Sequence, residues 1–302
     1  MTEVISGVEL FNWYQDARRR ALFLAISPLE IDLFLQFYTN LSNLDLKLKN
    51  YQNYHTIELL ISFEELKAKW DLRIEKRVPI QYLIGSCFWR DLTLKVSPDV
   101  LIPRPETELI IDIVLDLISE NPSLRAGNWL DLGTGSGALA LSLAKHLVNS
   151  NIFAVDKSRG ALSIAQENSH LLNITKNIYF RLGNWFEPIT DLQGKVSGIV
   201  TNPPYIPSEI IGELQPEVAN HEPRRALDGG EDGLRDIRHL ITTAPSYLIP
   251  NGILIIEIMA GQAPMVMDLF KQENQYDDVT TYHDLSGEGR FVMGKKSKSI
   301  IS

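Results

Sequence analysis

Apolar positions change period twice along the chain. Up to about residue 85 they recur at helical spacing, as in Leu10, Trp13, Tyr14 and Ala17, and again in Leu66, Trp70 and Ile74. Ser27-Pro28-Leu29-Glu30 reads as a capping box with proline at the first helical position, opening a helix through Tyr38. Ser62-Phe63-Glu64-Glu65 is a second such start, and Pro79 marks that helix's end. The stretch 40–60 is polar and Asn-rich and sets no clear boundaries. From Phe88 to Val96 the alternation has strand period, and Ser97-Pro98-Asp99 is turn chemistry, so 85–102 reads as a β-hairpin or paired strands joining two domains.

Helical period returns after Pro105. Glu106 and Glu108 suit a helix N-terminus, and Leu109, Ile110, Ile113, Val114, Leu117 and Ile118 supply the buried stripe. Short β-branched runs then alternate with helical ones. Strands are expected at 128–132, 152–155, 178–182, 197–201 and 252–257, with helices at 138–147 and near 158–172. A final strand pair lies at 279–283 and 290–293. The pattern predicts an α/β fold: a mostly parallel sheet with helices on both faces. The expected division is a helical domain at 1–85, a β-hairpin linker at 86–104 and an α/β domain at 105–302.

Composition narrows the class. The chain has 302 residues, 44% hydrophobic and 22% charged, as a globular protein with a sizeable core does. A net charge of -9 argues against an extended duplex-binding surface, which needs clustered Lys and Arg. Arg18-Arg19-Arg20 is a local basic run that also fits a solvated helix face. Cys87 is the only cysteine, which excludes an intrachain disulfide and a Cys-rich metal site. The six histidines have no ligand spacing, and no metal is expected. There is no signal-like or membrane-length apolar run, so a cytoplasmic protein is expected.

Two stretches carry chemistry. In the first, strand 128–132 runs into Gly133-Thr134-Gly135-Ser136-Gly137 and a helix, and the next strand ends in Asp156. Glycines let the backbone approach a ligand, the helix N-terminus offers free N–H groups, and Asp156 can accept both hydroxyls of a ribose. Gly133-x-Gly135-x-x-Ala138 also fits the dinucleotide fingerprint, which keeps NAD open. Against NAD, Asp131 lies where it can hold an ammonium group, and no second mononucleotide half follows. S-adenosylmethionine has an ammonium, a ribose and an adenine and needs no pyrophosphate cradle. Trp185 can lie on the adenine face or simply pack in the core, and Asn184 can reach the exocyclic amine.

The second stretch is Asn202-Pro203-Pro204-Tyr205 at the end of strand 197–201. The prolines stop the strand and remove two backbone donors, leaving a corner of carbonyl acceptors. A planar –NH2 group can donate to the Asn202 side chain and a proline carbonyl while lying against Tyr205. The same residues also fit a rigid turn with a buried Asn. Arg104, held between two prolines, can face a ligand. Residues 216–233 are long, polar and irregular, and fit either a lid or a solvated surface loop.

With these motifs in place, the chain resembles the bacterial peptide chain release factor glutamine methyltransferase family over most of residues 75–295. The resemblance rests on Tyr82-Leu83-Ile84-Gly85, Leu101 to Glu108, Asp131 to Gly137, Gly183-Asn184-Trp185-Phe186, Asn202 to Ile206 and Glu222-Pro223-Arg224. It implies a class I methyltransferase fold, a Rossmann-like sheet with a terminal antiparallel strand, with S-adenosylmethionine as methyl donor and the glutamine of a release factor's Gly-Gly-Gln loop as acceptor. It also implies an N-terminal domain that helps engage that partner. Gly133, Thr134, Gly135, Ser136, Gly137, Asp156, Trp185 and Asn202 match cofactor-contact positions. Asn202, Pro203, Pro204 and Tyr205 match the glutamine-binding motif. Asn184 stands where the family usually has Asp. A monomer acting on a protein, with no direct nucleic acid or membrane contact, is expected. A nucleic-acid adenine methyltransferase and a ribosomal-protein glutamine methyltransferase remain the alternative activities.

Overall fold

Four strands of the α/β region, at 129–132, 152–155, 197–201 and 252–257, are buried on both faces, which only a sheet covered on both sides can satisfy. The computed structural model describes residues 3–298 and divides into two compact units. One comprises residues 1–85 with 216–221, the other 86–215 with 222–302.

The first unit is mainly helical. It contains β1 (Glu3–Ile5), α1 (Gly7–Phe23), α2 (Leu29–Tyr38), α3 (Asn43–Leu48), β2 (Ile57–Leu59), α4 (Phe63–Lys76) and α5 (Ile80–Ile84). The stretch without clear boundaries thus holds α3, closed by a reciprocal Ser42–Asp45 capping box, and β2, which pairs antiparallel with β1. Tyr14, Phe34, Tyr51 and Trp70 are fully buried at its centre. Ser62 caps α4 by accepting from Glu65 N at 3.1 Å. The capping box expected at Ser27 does not form. Pro28 occupies the N-cap of α2 without a side-chain cap, and Glu30 instead takes a fork from buried Arg73, at 2.5 Å and 2.9 Å. Glu217, from the segment 216–221, lies 2.8 Å from both Arg73 and Arg77.

The second unit opens with an antiparallel hairpin, β3 (Ser86–Trp89) and β4 (Leu92–Lys95). A 3-10 turn at Glu106–Glu108 leads into α6 (Leu109–Glu120). There follow β5 (Gly127–Leu132), α7 (Ala138–His146), β6 (Ser150–Asp156), α8 (Arg159–Leu171), β7 (Ile178–Leu182) and β8 (Val196–Thr201). The short α9 (Pro216–His221) belongs to the first unit; α10 (Arg235–Thr243), β9 (Leu248–Glu257), α11 (Ala263–Glu273), β10 (Tyr276–His283) and β11 (Gly289–Lys296) complete the second.

Seven strands form one sheet in the order β10-β11-β9-β8-β5-β6-β7. The five from β9 to β7 are parallel, and β11, last in the chain, is antiparallel to both neighbours. Period two sorts the strand residues. Trp129, Ile152, Ala154, Ile253 and Ile255 pack on one face with α6, α7 and the hairpin. Leu130, Phe153, Val155, Leu254 and Ile256 pack on the other with α10 and α11. Among the described residues no helix is long and apolar enough to cross a membrane.

Candidate active site

Strand register builds the site. Leu132 of β5 is level with Val155 of β6 and Thr201 of β8, and Thr201 is level with Ile256 of β9. The next residue in each strand is therefore Gly133, Asp156, Asn202 and Glu257, four positions in one row at the C-terminal edge. Such an edge is where open α/β sheets bind ligands.

The glycine loop wraps a buried carboxylate. Gly133 N and Thr134 N both donate to Val155 O, at 2.9 Å and 3.0 Å. Gly135 has φ +56° and open space where a Cβ would stand, and its N–H donates to Asp156 Oδ2 at 2.9 Å. Ser158 N donates to Asp156 Oδ1 at 2.8 Å, so each oxygen keeps a further lone pair for a ligand hydroxyl. On β5, Asp131 Oδ2 accepts from Thr134 Oγ1 at 2.6 Å and from Ala140 N at 3.0 Å. Asp131 Oδ1 is buried with no partner. Burial pushes the Asp131 carboxyl up to about 7, against the Thr134 and Ala140 hydrogen bonds that favour its ionised form. Gly137 serves packing: it sits at φ +86°, and a Cβ there would press on Ala165 and Leu141 at 3.2 Å.

At the end of β8, Asn202 Nδ2 donates to Thr107 Oγ1 at 3.1 Å, and Thr107 Oγ1 donates to Glu257 Oε2 at 2.6 Å. Tyr205 OH donates to the other Glu257 oxygen at 3.2 Å. Glu257 is fully buried. Burial pushes its carboxyl up to about 7, with Thr107, the Arg290 charge and Tyr205 pulling the other way. The Tyr205 carbonyl accepts from Gln262 Nε2 at 3.1 Å, and the Pro204 carbonyl faces the Gly229 backbone.

These elements share one cleft, with ≈ 910 Å³ of empty space counting its open mouth. Its lining includes Asp131, Gly133, Thr134, Gly135, Ser136 and Asp156 from the first motif. Asn202, Pro204 and Thr107 line it too, as do Asn184 and Trp185. Gly137, Pro203 and Tyr205 are not on the lining; Pro203 is buried, and Tyr205 supports the wall from behind. Trp185 packs in the core and also lines the cleft. It is 7% exposed within the core cluster, its Nε1 donates to Asp236 at 3.2 Å, and its ring edge stands beside Gly133.

Sequence reasoning left several residues out. Arg104 does line the cleft, where its guanidinium pairs with buried Glu222 at 2.8 Å. The 216–233 segment is not a solvated loop in its second half. Pro223, Arg225 and Ala226 line the cleft, and Arg225 is tied to Asp99 O at 2.5 Å and Ser158 Oγ at 2.9 Å. Asp228 fastens the turn by accepting from Ser208 Oγ at 2.6 Å and Gly230 N at 3.0 Å. Thr107 and Glu257 were also absent from the expected set. A carboxylate closing the apolar run Ile253-Leu254-Ile255-Ile256 was the available signal for Glu257.

The residues fit S-adenosylmethionine. Its ammonium would meet the unpartnered Asp131 oxygen, and the open approach at Gly135 leaves room beside Asp156 for a ribose.

Comparison with known proteins agrees with this geometry. The methyltransferase small domain family matches residues 111–215. A Synechocystis protein named release factor glutamine methyltransferase is 46% identical over 96% of this chain and 97% of its own. Relatives of the same name from Gloeobacter violaceus and Thermodesulfovibrio yellowstonii are 40% and 36% identical over 93% and 97% of this chain, covering 95% and 97% of theirs. Among solved structures, the hMettl16 catalytic domain in complex with the MAT2A 3'UTR hairpin 6 superposes with a TM-score of 0.54 at 14% identity, over 89% of this chain and 90% of that one. That likeness is one of fold.

Proposed function

This chain belongs to the release factor glutamine methyltransferase family, and we propose that it transfers a methyl group from S-adenosylmethionine to the side-chain amide nitrogen of the glutamine in the Gly-Gly-Gln motif of peptide chain release factors. What supports the reading is one cleft whose walls carry both halves of such a reaction. The Asp131 carboxylate with its unpartnered oxygen, the glycine loop and Asn202 all line it.

Asp131 would hold the cofactor's ammonium, Asp156 its ribose hydroxyls, and Asn184 and Trp185 its adenine. When bound, the cofactor supplies an electrophilic methyl group on a sulfonium. The acceptor is the harder half. A carboxamide nitrogen is a poor nucleophile because its lone pair is delocalised into the carbonyl. Asn202 Oδ1 and a proline carbonyl of the corner would accept its two N–H bonds, aim the nitrogen and stabilise the positive charge growing there, which is positioning plus electrostatics. No general base need act first, since the proton can leave after transfer. Gln262, by holding the Tyr205 carbonyl, keeps the corner rigid. In this reading the helical residues 1–85 help engage the release factor, 86–104 link, and 105–302 carry out the transfer. The enzyme works as a cytoplasmic monomer on a protein, without contacting nucleic acid itself.

Asn202→Ala tests the role of the corner. Methyl transfer to a purified release factor is expected to fall about 10²–10³-fold, the cost of losing one preorganised polar group. Near-normal turnover would refute it.

A further inference from the structure

An asparagine at a binding wall can face its ligand with either end of its amide. The two choices select opposite partners: Oδ1 accepts from an –NH2 group, while Nδ2 donates to a carboxylate. Glutamine and glutamate have nearly the same shape, so the size of a pocket separates them poorly. The direction of the hydrogen bonds separates them well, because the wrong partner leaves buried polar groups facing like against like.

At Asn202 that direction is set from behind. Thr107 has a single hydroxyl proton, and its Oγ1 lies 2.6 Å from Glu257 Oε2. In its ionised form, which the Thr107 and Tyr205 hydrogen bonds and the Arg290 charge favour, the Glu257 carboxylate can only accept, so the proton points to Glu257. Thr107 Oγ1 is then an acceptor toward Asn202, at 3.1 Å, and the amide atom beside it is Nδ2. Oδ1 is turned the other way. Glu257 is anchored in turn: it ends β9, is fully buried, and its second oxygen takes the Tyr205 hydroxyl at 3.2 Å. Thr107 itself is 4% exposed. The hydrogen bonds run from Asn202 to Thr107 to Glu257, with Tyr205 converging on the same carboxylate. Bonds aligned this way polarise one another, which also makes Oδ1 a better acceptor.

We propose that Thr107 and Glu257 are positioning residues that fix the Asn202 amide with its oxygen toward the substrate, and that they thereby make the site select a carboxamide over a carboxylate. This rests on the release-factor reading of the same corner. Neither residue touches the reacting atoms.

The test compares Thr107→Val, which keeps the shape and removes the hydroxyl, with Thr107→Ser, which restores it. Two readouts are used on the intact protein with S-adenosylmethionine present: methyl transfer to a release factor, and binding of Gly-Gly-Gln and Gly-Gly-Glu peptides. Thr107→Val should lower kcat about 10–100-fold, as loss of an orienting partner typically does. It should also shift the Gln-over-Glu binding preference at least about tenfold toward Glu, because Asn202 is free to turn over. Thr107→Ser should return both toward wild type. A purely structural role for Thr107 would not move the peptide preference. Glu257→Gln, of equal volume, removes the obligate acceptor and should erode the same preference. An active wild-type enzyme whose peptide preference survives both Thr107→Val and Glu257→Gln overturns the proposal alone. A wild-type enzyme that leaves the release factor unmodified and ignores both peptides overturns the functional reading as well.

Discussion

The Asp131 side chain holds the site's least comfortable charge. One oxygen is doubly hydrogen-bonded, and the other is buried without a partner. Its carboxyl, pushed up to about 7 by burial, gives two expected pH effects. A cationic ligand group binds the ionised form, so affinity for S-adenosylmethionine should weaken as pH drops below about 7. Calorimetric titration across that range checks this, and a flat profile would contradict it. The second effect concerns folding. A carboxyl whose folded pKa is raised holds its proton more tightly in the native state. Its contribution to stability is greatest below the ordinary value of 3.8 and is lost as pH rises to about 7. Asp131→Asn removes that loss. Relative to wild type, the variant without cofactor should gain thermal stability as pH rises through this window, while its cofactor affinity falls about 10–100-fold, the worth of a hydrogen bond to a charged group. At this scale much was readable from local motifs: the glycines, Asp156 and Asn202 each announce themselves within a few residues. Thr107 does not, and Glu257 does so only as a carboxylate closing an apolar run, because the contacts that give them meaning join positions 95 and 150 residues apart.

Elements were legible wherever period and punctuation agreed. Strand β5, the glycine loop and α7 follow from one unbroken pattern, and β8 ends where the two prolines force it to. Elsewhere tertiary partners overrode local signals. Ser27 to Glu30 has the spelling of a capping box, yet Glu30 is drawn away by buried Arg73. Arg73→Met should leave Glu30 and Glu217 without their shared cation and cost about 3 kcal/mol, read by urea unfolding. Arg73→Lys should not recover it, since an ammonium cannot form the planar fork. Gly198, inside β8, has a reason no strand pattern shows. A Cβ there would stand 2.3 Å from the Trp129 ring on the neighbouring strand. Gly198→Ala should therefore destabilise by about 1–3 kcal/mol through overpacking, with the loss visible in the same unfolding measurement. Unchanged midpoints would contradict this account of the sheet's interior.

For the molecule as a whole, alternating strands and helices were enough to give the parallel sheet and the C-terminal edge along which the cleft lies. They were not enough to follow the chain after β8. Residues 216–221 group with the helical unit, whereas Glu222, Pro223 and Arg225 return to the cleft of the other. Polar composition there fits a lid and a solvated loop equally, and Glu222 is buried because Arg104 supplies its counter-charge from 118 residues away. The central claim is that this cleft delivers a methyl group to one glutamine nitrogen of a protein partner. The most direct measurement incubates the enzyme with labelled S-adenosylmethionine and either a purified release factor or its variant with Ala in place of the Gly-Gly-Gln glutamine. Label should appear on the intact factor, confined to that amide nitrogen, and be absent from the variant. Equal labelling of both, or label on neither, would contradict the account.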